Sequence, residues 1–274
     1  MTSMPESEPE RERGGVIVPD WTLAGPVRAL CTSRRGGVSR GPHGLAGGAR
    51  GGFNLGAACG DAPGDVALNR ARLRAWLPSE PHWLDQVHGT EVVDADHVPG
   101  AGIPPRADAA VSATPGVVLA VLTADCLPVL IADRDGRAVG IAHAGWRGLS
   151  AGIVERTLER LARRVEGATH WVAWLGPAIG PGHFEVGDDV LHAFADARPS
   201  ARRAFAPGPA PGKHFADLFE LARQRLGACG VVDVHGGGEC TYSDAERFYS
   251  FRRDRVTGRM ASLIWIDGAT RPGA

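Results

Sequence analysis

The residues best suited to chemistry lie between Val117 and Gly148, where a cysteine and a histidine stand beside apolar runs typical of β-strands. Two such runs, 117–122 and 128–132, flank Cys126, which predicts that its thiol lies at a corner between two strands. A third run follows an Asp-Gly turn signal and ends at His143. Because the strands of a hairpin lie side by side, we expect the Cys126 thiol and the His143 imidazole to face one another.

A second histidine, His88, closes a short β-type run that begins at Trp83. A lone histidine in a strand is more often an ordinary structural residue than a ligand, but proximity to Cys126 would reverse that preference. Gln86 lies two residues before His88, so in a strand both side chains point to the same face. We assign Gln86 to substrate binding. If His88 lies beside Cys126 and His143, the three side chains form a three-ligand site.

Such a donor set has a preferred metal. One thiolate and two imidazoles suit Zn²⁺, and three protein ligands leave a fourth position open, as in catalytic zinc sites. Copper is possible but less favoured as a cofactor. A blue copper oxidase needs many histidines, typically in H-x-H pairs, and none of the ten histidines lies two residues from another.

Two arginines are candidate catalytic residues that would hold an anion. Arg147 follows His143 in a strand, glycine turn and helix arrangement, for which Ser150 is the predicted helix cap. Unpaired amides at a helix start attract anions, and a guanidinium adds a bidentate contact. Arg34 lies in the glycine-rich turn Cys31–Ser39. The alternative for each arginine is that it only braces its own turn.

Three further features complete the predicted site. Asp125 adjoins the thiol and is the candidate catalytic residue for substrate positioning or proton transfer, although a structural role beside the ligands fits it equally well. Asn54 lies just outside a predicted helix and is assigned to substrate binding. Arg252 and Arg253 are the alternative anion site if the first two arginines serve another purpose.

The composition restricts the kind of protein. With 274 residues, 43% hydrophobic content and a net charge of −1, the chain can bury a full core and lacks the basic excess of a nucleic-acid binder. No run approaches the roughly 18 apolar residues of a membrane span. The five cysteines form an odd set without close pairs, which argues against disulfides and favours the cytoplasm. The expected partners are small-molecule substrates, with neither nucleic acid nor membrane.

The domain organisation is predicted to be simple. Residues 1–15 are rich in Glu, Arg, Ser and Pro and lack an apolar segment, which predicts a disordered tail rather than a signal peptide. Residues 16–274 are predicted to form a single catalytic domain. Apolar spacing predicts helices at 187–197, 215–226 and after Ser150, and strands at 171–175, 231–234 and 263–266. The expected fold class is α/β (α+β type), with mixed β-sheets flanked by helices.

Six motifs occur in the order seen in one protein family: Gln86-Val-His88-Gly, Thr123-Ala-Asp-Cys126-Leu-Pro, His143-Ala-Gly-Trp-Arg-Gly148, Leu175-Gly-Pro-Ala-Ile-Gly180, Cys240-Thr-Tyr and Ser250-Phe-Arg-Arg253. From about Val16 onward the chain resembles the laccase-domain family. That family was first described as multicopper polyphenol oxidoreductases and later as zinc-dependent purine nucleoside enzymes.

The resemblance carries expectations about the site. It implies that His88, Cys126 and His143 bind the catalytic metal. It also implies phosphorolysis of adenosine, inosine, guanosine and S-methyl-5'-thioadenosine, which yields the base and a ribose 1-phosphate, together with deamination of adenosine. The chain departs from the family where members often carry Cys-Tyr after the Gly-Pro loop. Here the corresponding residues are Gly182-His183-Phe184, so that aromatic hydroxyl is absent at this position.

Other functional classes stay open on the residues alone. In a metal-free cysteine hydrolase or amidase acting on cell-wall precursors, Cys126 would be the nucleophile and His143 the base. A copper-dependent polyphenol oxidase would use the same side chains as ligands. A metal-stabilised interaction module would use them only for folding. Metal dependence separates these classes, because a cysteine hydrolase survives chelation and is blocked by alkylation.

Overall fold

The computed structural model describes residues 12–13, 15–23, 25–98, 102–167 and 170–268. The strands are β1 (Glu12–Arg13), β2 (Val16–Ile17), β3 (Val27–Thr32), β4 (Arg35–Ser39), β5 (Val92–Asp94), β6 (Ala109–Ser112), β7 (Leu119–Thr123), β8 (Leu127–Asp133), β9 (Val139–Ala144), β10 (Trp171–Leu175), β11 (Glu185–Gly187), β12 (Phe205–Pro207), β13 (Lys213–Ala216), β14 (Asp233–Gly236) and β15 (Met260–Ile266). The helices are α1 (Pro63–Arg74), α2 (Trp146–Ala151), α3 (Ile153–Ala162), α4 (Asp188–Ala195), α5 (Leu218–Ala228) and α6 (Phe251–Asp254).

Two large sheets pack face to face. The first has the strand order β1-β2-β3-β15-β7, and the second has the order β14-β10-β8-β9-β6-β5. Between them lies an apolar cluster with Val121 and Ile264 from the first sheet and Leu130 and Ile141 from the second. The second sheet combines parallel pairs, β10 with β14 and β5 with β6, with antiparallel ones. A small third sheet has the order β11-β13-β12.

Helices cover the outer faces of both large sheets. On the first sheet, Leu73 of α1 packs in a cluster with Phe53 and Leu263. On the second sheet, β8 is buried along its whole length, and its residues Val129 and Ile131 join the cluster that contains α3 and α5. Successive side chains of a strand point to opposite faces, so a strand covered on both faces must be apolar throughout. These layers confirm the predicted mixed sheets flanked by helices in a single domain.

The chain crosses between the two sheets at Cys126. β7 pairs with β15 in the first sheet, whereas β8 pairs with β9 in the second. The predicted corner between two strands is therefore confirmed, but it joins strands of different sheets. Asp125 adopts a φ of 94°, a conformation that residues with a side chain rarely adopt, and it turns the chain between the sheets.

Two local predictions are wrong. The helix predicted after Ser150 is present as α3, but its N-cap is Gly152 instead of Ser150, and the additional short helix α2 begins at Trp146. The Ser150 hydroxyl donates to the carbonyl of Arg147 within α2. Residues 83–88 form a loop with one isolated bridge, at Asp85, instead of a strand. The alternation rule therefore does not apply to Gln86 and His88.

The remaining predicted elements agree with the structure within a few residues, namely α4, α5, β10, β14 and β15. The predicted tail, residues 1–15, lies mostly outside the described residues, although Glu12–Arg13 pair with Val16–Ile17. No helix of the described chain is long and apolar enough to cross a membrane.

Candidate metal centre

His88, Cys126 and His143 converge at one end of the second sheet. Pro128 of β8 pairs with His143 of β9, which places Cys126 beside the imidazole. A loop through residues 85–90 brings His88 to the same place. One ligand atom from each of the three side chains lies within 4.8 Å of the other two. The structure thus brings together the three ligands that the sequence predicts.

One of the distances between these atoms matches the separation expected around a tetrahedral zinc ion. With Zn–S and Zn–N bonds of about 2.3 and 2.1 Å, tetrahedral geometry separates a sulfur ligand from a nitrogen ligand by about 3.6 Å. Cys126 Sγ lies 3.7 Å from His88 Nε2. The rings of His88 and His143 meet edge to face, with centroids 4.8 Å apart. Since His143 is buried and His88 is exposed, the cluster is open on the His88 side.

Cys126 and His143 form a thiolate–imidazolium pair in the metal-free protein. Burial by itself would raise the pKa of Cys126, but the charge and hydrogen bond of His143, assisted by His88, outweigh it and lower the pKa to about 6. Burial would likewise lower the pKa of His143, whereas the Cys126 thiolate and the Asp108 carboxylate raise it to about 9. Each partner therefore stabilises the charged form of the other.

A buried carboxylate that the sequence analysis missed supports this cluster. Asp108 is fully buried and accepts a hydrogen bond of 2.8 Å from His143 Nδ1. It also accepts hydrogen bonds from the backbone amides of Val87, His88 and Gly89. The sequence signal was present, because Asp108 is the one charged residue in the segment Ala107–Val111 that leads into a buried strand.

Gly145 is a second functional position that was missed. A Cβ atom at this residue would lie 3.0 Å from Cys126 Sγ and 3.0 Å from Cδ2 of His88. The backbone that follows β9 therefore lies directly against two of the ligands. Only glycine fits here without displacing them, which explains the glycine between His143 and Trp146.

Asp125 braces the loops around the centre. One oxygen of its carboxylate accepts a hydrogen bond of 2.7 Å from Thr241 Oγ1, and the other accepts one of 2.6 Å from the amide of Arg252. Its carbonyl accepts a hydrogen bond from the amide of Ile179. Both carboxylate oxygens are thus engaged inside the protein. Any role in proton transfer stays a prediction.

Arg34 lies inside a shell of carbonyl groups. Its side chain is 4% exposed, and its guanidinium donates to the carbonyls of Gly44, Ala245 and Phe248. The guanidinium also stacks over the ring of Tyr249. Burial lowers the pKa of Arg34. Most of its donors are directed at the protein itself, and the predicted contact with phosphate remains untested.

Arg147 has a different setting. It lies in the first turn of α2, is exposed, and stacks over the ring of Trp146 at 4.5 Å. Its guanidinium has no hydrogen-bond partner among the described residues. Of the predicted arginines, Arg147 is the one that lies next to strand β9, which carries His143. Its N–H donors are available to a bound molecule.

The alternative arginines are engaged in local contacts. Arg252 donates to the carbonyl of Glu185 and lies over the ring of Phe184. Arg253 donates to the carbonyl of Thr241 and to both carboxylate oxygens of its neighbour Asp254. These contacts fix the segment around α6.

The two predicted substrate-binding amides also bond to the protein. Gln86 donates to the carbonyl of Leu122 and accepts from its amide, so its side chain pairs with the edge of β7 as a strand would. This pairing anchors the loop two residues before His88. Asn54 is fully buried, donates to Asp61 and accepts from the amide of Arg259. Direct contact of either residue with substrate stays a prediction.

Comparison with known proteins supports the sequence resemblance. A family model described as multi-copper polyphenol oxidoreductase laccase matches residues 28–267. The chain belongs to this laccase-domain family. The described residues contain one group of three side chains able to hold a metal, the His88, Cys126 and His143 cluster.

Relatives in the laccase-domain family are named as nucleoside enzymes. The chain is 52% identical over 250 residues to a purine nucleoside phosphorylase of Pseudomonas aeruginosa, covering 91% of this chain and 98% of the relative. It is 49% identical over 253 residues to the YfiH purine nucleoside phosphorylase of Escherichia coli, covering 92% and 98%. A crystal structure of a Neisseria meningitidis protein superposes with a TM-score of 0.85 at 44% identity, covering 93% of this chain and all of that one.

The loop at residues 182–184 packs against a tyrosine. The ring of His183 stacks on that of Tyr242 with centroids 4.4 Å apart and an interplanar angle of 20°, while Phe184 is buried. An aromatic ring that carries a hydroxyl, that of Tyr242, therefore lies beside this loop.

Proposed function

We propose that this protein is a zinc-dependent purine nucleoside phosphorylase that also deaminates adenosine. The proposed substrates are adenosine, inosine, guanosine and S-methyl-5'-thioadenosine, with phosphate as the co-substrate. The observation that carries the proposal is the convergence of His88, Cys126 and His143 within 4.8 Å of one another, in a chain whose relatives are named purine nucleoside phosphorylases.

The ligands of the proposed zinc ion are Cys126 Sγ, His88 Nε2 and the Nε2 atom of His143. Asp108 already engages Nδ1 of His143, which leaves Nε2 for the metal. Bound zinc would supply a Lewis acid that stabilises negative charge on a leaving purine or lowers the pKa of water. The exposed side of the cluster, at His88, is where a nucleoside has access.

Arg147 is the residue that we propose to hold phosphate. Phosphorolysis requires phosphate below the C1' atom of the ribose, and a guanidinium holds an oxyanion through two parallel hydrogen bonds. Arg147 is exposed and follows ligand His143 by four residues, and the described chain offers it no anionic partner. Deamination consumes no phosphate and does not require this contact. Arg34 is the alternative, and binding there requires that its guanidinium release carbonyl groups.

Asp125 is proposed to position the loops that border the substrate. It ties Thr241 and the start of α6 to the residue next to ligand Cys126. A role in proton transfer requires that one of these two hydrogen bonds open when the substrate binds.

The experiment that tests the function is product analysis with zinc-loaded protein. Inosine with phosphate is expected to yield hypoxanthine and ribose 1-phosphate, and omission of phosphate is expected to abolish base release. Adenosine is expected to yield adenine only when phosphate is present. In the absence of phosphate, adenosine is expected to yield inosine. Absence of base release by zinc-loaded protein at saturating phosphate would contradict the phosphorylase, whereas loss of inosine formation alone would contradict only the deaminase.

A metal-free cysteine hydrolase is the second candidate function. The lowered pKa of Cys126 and its hydrogen bond with His143 are what such an enzyme needs for its nucleophile and base. Its activity would survive removal of zinc by a strong chelator, while the phosphorylase would lose activity and regain it on addition of zinc. A multicopper oxidase is less favoured, because the described residues hold one candidate metal group.

The proposed location is the cytoplasm, and the proposed partners are small molecules. All five cysteines are free, which fits a reducing compartment. Mass spectrometry of protein from cell fractions, without reduction, would test both the location and the absence of disulfides.

A further inference from the structure

We propose that Asp108 is the positioning residue that assembles two of the three metal ligands, His88 and His143, through a single carboxylate. The proposal rests on the proposed metal site but not on the proposed reaction. It is carried by the geometry of one fully buried carboxylate that faces a ring nitrogen and three successive backbone amides.

The two oxygens of Asp108 share these donors. Oδ1 accepts from His143 Nδ1 at 2.8 Å and from the amide of His88 at 2.9 Å. Oδ2 accepts from the amide of Gly89 at 2.6 Å and from that of Val87 at 3.2 Å. In addition, the backbone carbonyl of Asp108 accepts from the amide of His143 at 2.7 Å. Every one of these donors belongs to a ligand residue or to its immediate neighbour.

The contact with His143 fixes both the tautomer and the direction of its ring. A proton on Nδ1 is held by Asp108, so the lone pair of the neutral ring stands on Nε2 and faces the cluster. The backbone amide of His143 also donates to the carbonyl of Asp108, so the same residue holds the backbone that carries the ring, and the ring cannot rotate without breaking its hydrogen bond to Oδ1.

The contact with the other ligand acts on the backbone. His88 has a φ of 61°, a left-handed conformation that is unfavourable for a residue with a side chain. This conformation turns the amides of Val87, His88 and Gly89 towards one point, where a carboxylate accepts all three. The buried charge of Asp108 thereby compensates for the unfavourable backbone, and the His88 ring is presented to Cys126.

The variant Asp108→Asn separates charge from volume. An asparagine offers one acceptor oxygen, and its NH₂ group must face either the Val87 and Gly89 amides or the His88 amide and His143 Nδ1. In either orientation, the NH₂ group of the asparagine faces N–H donors instead of acceptors. We expect the dissociation constant for zinc to rise about 10- to 100-fold, measured by competition with a chromogenic chelator.

The matched control is Asp96→Asn. Asp96 is also largely buried and accepts hydrogen bonds from Ser112, the amide of Ala113 and Arg164, none of which is a ligand. The Asp96→Asn substitution is expected to lower the melting temperature without changing zinc affinity. Cobalt substitution adds a spectroscopic readout, because the visible spectrum of Co²⁺ reports the geometry of the ligands. The spectrum should change in Asp108→Asn and match wild type in Asp96→Asn.

A measurement on wild-type protein keeps the proposal testable if Asp108→Asn does not fold. The amides of Val87, His88 and Gly89 should be protected from hydrogen exchange, although His88 and Val87 are exposed. Exchange of all three at the rates of an open peptide would overturn the role of Asp108, as would wild-type zinc affinity and an unchanged cobalt spectrum in Asp108→Asn. Wild-type protein that binds no zinc would instead refute the metal site, and with it this proposal.

Discussion

Gly145 lies so close to Cys126 that a Cβ atom at residue 145 would stand 3.0 Å from the thiol sulfur. The same atom would stand 3.0 Å from Cδ2 of His88. We therefore predict that Gly145→Ala pushes these two ligands apart. Overpacking of this kind costs about 1–3 kcal/mol, so zinc affinity should fall by about tenfold or more. The control is Gly64→Ala in α1, where a Cβ meets no atom within 4 Å. Equal zinc affinity in the two variants would show that the ligands tolerate the methyl group.

Replacement of Cys126 by alanine is predicted to remove both zinc and activity while the fold persists. The thiol lies at the end of β8 rather than in the core, so its loss leaves the sheets intact. Metal content by atomic emission and circular dichroism spectra check the two parts. Cys229→Ser, at an exposed thiol, is the control and should keep turnover within a few-fold. Stoichiometric zinc in Cys126→Ala would exclude this residue as a ligand.

Cys31 is predicted to be structural and unreactive. It is buried against Ser262, and burial, opposed only in part by the Ser262 hydrogen bond, raises the pKa of its thiol to about 12. Cys31→Ser should leave turnover and zinc content within a few-fold. A collapse of activity with zinc retained would show that Cys31 has a functional role.

Alkylation of the metal-free protein is predicted to select Cys126. The pKa of Cys126 is lowered to about 6, so its reactive thiolate persists until the pH falls to about 6. An ordinary thiol, with a pKa of 9.0, is mostly protonated as soon as the pH falls below 9.0. The rate of alkylation by iodoacetamide at Cys126 should be half-maximal near pH 6 and flat above about pH 7. At Cys229, whose pKa is raised by partial desolvation and by the charge of Glu155, the rate should still be rising at pH 9. Zinc should protect Cys126. A midpoint near pH 9 at Cys126 would contradict the thiolate–imidazolium pair.

The two arginines that the sequence proposes for phosphate are predicted to differ. Arg147→Ala should lower phosphorolysis about ten- to a hundredfold through weaker use of phosphate, because a charge-assisted contact contributes about 1.5–3 kcal/mol. Adenosine deamination should fall much less. Steady-state kinetics at varied phosphate measures both, and equal loss of the two activities would mean that Arg147 shapes the pocket or holds the nucleoside.

Arg34→Ala is predicted to destabilise the protein. Its removal leaves the carbonyls of Gly44 and Ala245 without a donor, which costs about 2–3 kcal/mol of the free energy of unfolding, whereas the carbonyl of Phe248 keeps the Arg253 guanidinium as its donor. Thermal or urea unfolding measures this loss, with Arg147→Ala as the control. If Arg34→Ala instead keeps full stability and loses only the use of phosphate, the phosphate site belongs to Arg34.

The sequence by itself determined the part of the site that is local. β8 and β9 are joined by a short turn, and their apolar runs fix where each strand ends, so Cys126 and His143 had to lie close together. The resemblance of the motifs then supplied the family and His88 as the third ligand. The apolar character of β8 and the helical spacing of α4 and α5 also gave a correct outline of the layers.

Only the tertiary structure decided the rest, because periodicity within a segment carries no information about its distant partners. His88 reaches Cys126 across 38 residues, from a loop in a left-handed conformation that the β-type pattern around it hid. The central role of Asp108 follows only from the four donors that surround its carboxylate in the folded chain. Arg34 and Arg147 look alike in sequence. Their difference arises because carbonyl groups from residues 44, 245 and 248 surround one guanidinium, whereas the other projects from a helix start beside the metal ligands.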